Sequence, residues 1–103
     1  MSDSIIIIPT FNERGNIEKI LNQIKDLSLV FDVLVVDDSS PDKTGEIVKE
    51  FISKKTYKFN LLIIERESKN GLGSAYIEGF KKAISLKYKY IFQLDLALGL
   101  DLG

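Results

Sequence analysis

Apolar residues along the chain follow two rhythms in turn. Ile5 to Ile8 is an unbroken β-branched run closed by Pro9. A continuous rather than alternating apolar run fits a strand buried on both faces. From Glu13 the period changes, with Ile17, Ile20, Leu21, Ile24 and Leu27 recurring at helical spacing behind Asn12, which predicts an amphipathic helix capped near that asparagine. Val33 to Val36 repeats the buried-strand pattern, Asp37 to Pro41 forms a polar turn, and Ile47, Val48, Phe51 and Ile52 mark a second helix with Asp42 or Thr44 near its start. Leu61 to Ile64 reads as a third strand, Ser68 to Gly73 as a glycine-bearing loop, Ala75 to Leu86 as a third helix and Tyr90 to Leu94 as a fourth strand.

Strands alternating with helices of this length imply parallel pairing through right-handed crossovers, hence a three-layer α/β/α sandwich of the Rossmann-like kind. The nucleotide-binding half of such a sheet has the strand order 3-2-1-4, and ligands sit at the carboxyl ends of its strands. Four polar clusters directly follow strands: Thr10 to Arg14, Asp37 to Asp42, Glu65 to Gly73, and Asp95. All four line one edge of the expected sheet. From Leu94 to Gly103 the pattern differs, with a leucine at every even position and Asp95, Ala97, Gly99, Asp101 and Gly103 between them. This predicts an extended segment with one apolar face. Residues 1–95 therefore read as the folded unit and 96–103 as an atypical tail, a truncation or a non-native addition.

Composition narrows the chemistry. A chain of 103 residues, 45% hydrophobic and 28% charged, supports one globular domain at most. With 14 basic and 15 acidic residues, net charge −1, it has no field that would draw nucleic acid onto its surface, so no nucleic-acid partner is expected. The absence of Cys and His excludes disulfides, thiolate and Ser-His-Asp chemistry, and most zinc sites. No apolar run reaches the roughly 20 residues of a membrane span, and Met1 to Ser4 lacks a basic signal-peptide start, so a reduced, cytoplasmic setting is expected.

Candidate ligand residues sit in the strand-end clusters. Asp37 and Asp38 are adjacent, so in extended backbone one points into the sheet end and the other toward the crevice. A carboxylate there accepts hydrogen bonds from a nucleoside, or alternatively caps the next helix. Asn70-Gly71-Leu72-Gly73-Ser74-Ala75 opens the third helix with glycines that permit φ > 0, where amides could face a phosphate. Tyr76 in the sixth position excludes the dinucleotide fingerprint. Arg66 and Lys69 are either positive charges for a diphosphate or solvated loop residues. Asp95 ends the fourth strand and offers one oxygen ligand to Mg²⁺ or Mn²⁺.

Three ordered motifs link these clusters. Pro9-Thr10-Phe11-Asn12-Glu13, Val36-Asp37-Asp38-Ser39-Ser40-Pro41-Asp42-Lys43-Thr44 and Gly71-Leu72-Gly73-Ser74-Ala75-Tyr76, the last followed by Gly79 and Ala83, resemble the amino-terminal half of family 2 glycosyltransferases with the GT-A fold. More narrowly they resemble the dolichol- or polyprenyl-phosphate mannosyltransferases. The resemblance implies that Pro9, Phe11, Glu13, Val36, Asp38 and Gly71 contact a nucleotide, and that Asp95 is the first acid of the metal motif holding Mg²⁺ or Mn²⁺. It further implies binding of a nucleotide-sugar such as GDP-mannose, transfer of the sugar to a polyprenyl or dolichyl phosphate, and membrane association of the full-length enzyme.

The chain departs from that pattern at Asp95-Leu96-Ala97, where Ala97 replaces the second acid. Metal binding should be weakened, and transfer by this chain alone is not expected. A response-regulator receiver domain is a competing reading of the acidic pair, and an inert folded fragment is another. The exposed fourth-strand edge and the leucine tail also predict a homodimer joined through residues 90–103.

Overall fold

The computed structural model describes residues 2–26, 31–55, 57–68 and 70–96. Among them the elements alternate as expected: β1 (Ser4–Thr10), α1 (Arg14–Asp26), β2 (Asp32–Asp37), α2 (Thr44–Lys54), β3 (Leu61–Glu65), α3 (Leu72–Ser85) and β4 (Tyr90–Gln93). The four strands form one sheet in the order β3-β2-β1-β4, and every pairing is parallel, with Ile7 opposite both Leu34 and Gln93 and Val35 opposite Ile63.

The continuous apolar runs have the predicted cause. Ile8, Val33 and Val35 face α1 and α2 in one core cluster, while Ile5, Ile7, Leu34 and Val36 face α3 in the other. Successive residues of β1 and β2 therefore meet opposite helical layers, and neither face can be polar. α3 lies close to the sheet because Gly79 lets it: a Cβ there would stand 2.7 Å from Ile7 Cγ2.

Three local expectations change. β1 runs through Pro9 to Thr10 instead of stopping at the proline. The Ile7 carbonyl accepts from the Leu94 amide, so Pro9, two residues on, presents its backbone toward the β4 side. The β1–β4 register ends at Ile7 and Gln93, so the missing N–H falls where no partner strand is paired. Asn12, expected to cap α1, takes a left-handed φ of 54°. The cap comes instead from the following loop, where Asp42 Oδ2 accepts from the Arg14 amide at 3.2 Å and Thr44 Oγ1 accepts from the Glu13 amide at 3.2 Å. Finally, β4 ends at Gln93, and Leu94 and Leu96, expected on an exposed apolar face, are buried in the α1–α2 cluster. They share a face as the alternation requires, but that face belongs to the chain's own core. Leu27 and the tail from Ala97 to Gly103 lie outside the described residues. Among those described, no helix is long and apolar enough to cross a membrane.

Candidate functional site

The carboxyl ends of β1 and β2 and the segment after β4 open on a cavity of about 230 Å³ lined by Pro9, Thr10, Phe11, Glu13, Asp38, Leu72, Ala75 and Asp95. It sits beside β1, where the order of the sheet reverses: the chain builds outward from β1 through β2 to β3 and then crosses back to add β4 on the other side of β1. That is the topological switch point at which open parallel sheets bind ligands.

Asp37 builds the frame. Its Oδ1 accepts from the Thr10 hydroxyl at 2.7 Å and the Ser40 hydroxyl at 2.6 Å, and its Oδ2 accepts from the Ser40 amide at 3.0 Å. Ser40 Oγ in turn accepts from the Asn12 amide at 2.9 Å, so the loops after β1 and β2 are locked together. This carboxylate is spent on structure and does not join Asp38 as the acidic pair that the receiver reading required.

Asp38 points the other way, as alternation predicts, and is buried beside the cavity. Both its oxygens lie 3.1 Å from the Asn70 amide, and Oδ2 accepts from the Gly71 amide at 3.0 Å. Gly71 has φ 95°, a backbone region that a side chain would strain, so the turn aiming these amides needs glycine. Arg66 Nε stands 3.1 Å from Asp38 Oδ1, and its Nη2 donates to Ser74 Oγ at 2.8 Å. The loop amides expected to face a phosphate thus face a carboxylate, and the cation considered for a diphosphate is paired with it.

At the opposite wall Asp95 is half-buried. Burial, and secondarily the negative field of Asp95, push the Tyr76 phenol above its ordinary value, so the first helix turns of α3 feel that charge. Among the described residues no three Asp, Glu, His or Cys side chains come together as a metal site. The residues present do not make a metal centre by themselves: Asp95 supplies one carboxylate, and Leu96 beside it is buried in the core.

Of the residues expected at the site, Pro9, Phe11, Glu13, Asp38 and Asp95 share the cavity. Val36 is fully buried beneath α3, and Gly71 reaches the site through its amide to Asp38. Lys69 lies outside the described residues. Sequence reasoning missed Leu72 and Ala75 as cavity walls, although their i, i+3 spacing at the start of α3 places them on one helix face.

The family model for glycosyl transferase family 2 matches residues 5–96. The dolichol-phosphate mannosyltransferase of Pyrococcus furiosus is 44% identical over 80 residues, covering 76% of this chain and 22% of that protein. The polyprenol monophosphomannose synthase of Mycolicibacterium smegmatis is 35% identical over 92 residues, covering 89% of this chain and 34% of that protein. Among solved structures, the mannosyltransferase PcManGT of Pyrobaculum calidifontis, in complex with GDP-Man and Mn²⁺, superposes with a TM-score of 0.71 at 25% identity, covering 78% of this chain and 24% of that one. The chain thus spans well under half the length of the proteins it matches.

Proposed function

Because the chain belongs to glycosyl transferase family 2, we propose that it is the sugar-nucleotide-binding part of an enzyme that moves mannose from GDP-mannose to a polyprenyl or dolichyl phosphate. The observation that carries this reading is the cavity at the switch point, which gathers Pro9, Phe11, Glu13, Asp38 and Asp95 from three separate strand ends. Asp38 accepts from the nucleoside, with Pro9, Phe11 and Glu13 as neighbouring contacts and Val36 and Gly71 supporting them. Asp95 faces the diphosphate end. Asp95 would be the residue of this chain that holds a divalent ion such as Mg²⁺ or Mn²⁺, and such an ion would supply positive charge against the leaving group.

In the transfer, an acceptor phosphate oxygen bonds to the anomeric carbon while the bond from that carbon to the diphosphate breaks, its electron pair leaving on GDP. Residues 1–95 provide the nucleotide half of that site. With Ala97 where a second acid would stand, this chain binds the donor without transferring the sugar. A lipid-phosphate acceptor would bring the whole enzyme to a membrane surface, and a cytoplasmic setting is part of the same reading. Tyr90 and Phe92, 59% and 55% exposed on β4, support a homodimer through residues 90–103, which light scattering at tens of micromolar protein would return as a doubled mass.

Equilibrium dialysis with radiolabelled GDP-mannose tests the donor assignment. Retention that is competed by unlabelled GDP and reduced in Asp38→Asn is expected. No retention at millimolar nucleotide, by protein with a folded circular dichroism spectrum, would overturn it.

A further inference from the structure

We propose that Arg66 is a positioning residue for nucleoside recognition, holding the Asp38 carboxylate in the cavity wall and tying it to the start of α3. The inference rests on the nucleotide-binding reading above and adds a residue that does not itself line the cavity. Arg66 is the only buried cation among the described residues, its side chain 4% exposed. Burying a guanidinium costs free energy that its pairing seldom recovers relative to an apolar side chain, so its presence points to a positional role.

Its connections show what it positions. The Arg66 amide donates to the Asp37 carbonyl at 2.9 Å, fixing the residue beside the end of β2. From there Nε lies 3.1 Å from Asp38 Oδ1, and Nη2 donates to Ser74 Oγ at 2.8 Å. Glu78 Oε1, one turn further along α3, is 3.9 Å from the same Nε. Ser74 lies between Leu72 and Ala75, the two α3 residues of the cavity wall. The guanidinium therefore joins the carboxylate expected to meet the nucleoside to the helix turn facing it, through an ion pair at Nε and a hydrogen bond from Nη2, while Nε and Nη1 are buried without a hydrogen-bond acceptor; a single ammonium does not reach both partners in this way. The Asn70 and Gly71 amides close the arrangement on Asp38, so the carboxylate is oriented from two directions before any ligand arrives.

The test combines GDP calorimetry with amide hydrogen exchange on Arg66→Met, Arg66→Lys, Asp38→Asn and the double variant Asp38→Asn with Arg66→Met. Arg66→Met should weaken GDP binding by about ten- to a hundredfold, by analogy with the loss seen when a residue orienting a metal ligand is removed. Arg66→Lys should lose less. In the Asp38→Asn background, removing Arg66 should weaken binding no further, because it acts through Asp38. Exchange at the Asn70 and Gly71 amides should accelerate in both single Arg66 variants, while the Asn60 amide, bonded to Asp32 at the far end of the sheet, is unchanged. Unchanged Asn70 and Gly71 exchange, or losses that multiply in the double variant, would overturn the proposal. If the native chain binds no GDP, the nucleotide reading falls and the exchange data alone decide the role of Arg66. If Arg66→Met fails to fold, Arg66→Lys carries both measurements.

Discussion

Two buried aspartates mark the two ends of β2, and their surroundings differ in kind. At the amino end Asp32 accepts from the Tyr88 hydroxyl at 2.6 Å, the Asn60 amide at 2.8 Å and the Ser2 amide at 3.2 Å. These donors, and the Asn60 side-chain amide at 3.4 Å, are all neutral, and together they tie Ser2 and the segments before β3 and β4 to one carboxylate. At the carboxyl end Asp38 also takes two backbone amides, but its third partner is a buried cation, and it lines a cavity. The first arrangement closes the fold. The second keeps a charged pair beside an opening.

The difference can be broken by substitution. Asp38→Ala has the largest expected effect: it takes from Arg66 its closer anionic partner, leaving the half-exposed Glu78 at 3.9 Å, and should cost about 3–5 kcal/mol in urea unfolding. Adding Arg66→Met should recover most of that stability without restoring GDP binding. Asp32→Ala should cost about 2–3 kcal/mol, since it strands the Tyr88 hydroxyl and two amides. In the folded protein it should leave GDP affinity unchanged, and a loss of affinity there would erase the contrast between the two ends.

Gly79→Ala probes the framework the two ends share. The added Cβ, 2.7 Å from Ile7 Cγ2, overpacks the α3 face and should cost about 1–3 kcal/mol by thermal unfolding. The smallest effect is expected at Asp42. Burial works against its charge, but the Thr44 hydroxyl, the amides of Arg14 and Thr44 and the Arg14 cation outweigh it and hold its carboxyl below the ordinary value. A depressed carboxyl stabilises the fold above its unfolded pKa, and that contribution is lost as pH falls through the lower folded value. Asp42→Ala should therefore cost about 1 kcal/mol at neutral pH, as a lost helix cap does. It should also flatten part of the acid dependence below about pH 4.

Much of this was legible in the chain because the relevant physics is local. The runs Ile5 to Ile8 and Val33 to Val36 have to be strands buried on both faces, and the spacing of Ile17, Ile20, Leu21 and Ile24 has to be a helix face. Strand alternation also separates Asp37 from Asp38, and the structure bears out that split, one carboxylate spent on Thr10 and Ser40 and the other at the cavity. What was not legible depends on pieces distant in sequence. The α1 cap comes from Asp42 and from Thr44 at the start of α2, some thirty residues away from Asn12. The pairing of Arg66 with Asp38 exists only because β3 lies beside β2, so a residue that reads as a loop charge becomes a buried one. The leucine alternation correctly puts Leu94 and Leu96 on one face, but no local pattern tells whether that face meets solvent or the chain's own core.

Ligand binding at the carboxyl end of the sheet can be followed through the backbone amide resonances of the isotopically labelled protein while GDP is added. Phe11, Asp38, Asn70, Gly71, Ala75 and Asp95 should shift together with one saturation curve, while Asn60, Leu61 and Tyr88 around Asp32 stay in place. Shifts centred on the Asp32 end, or a folded protein whose spectrum does not move at millimolar GDP, would contradict it.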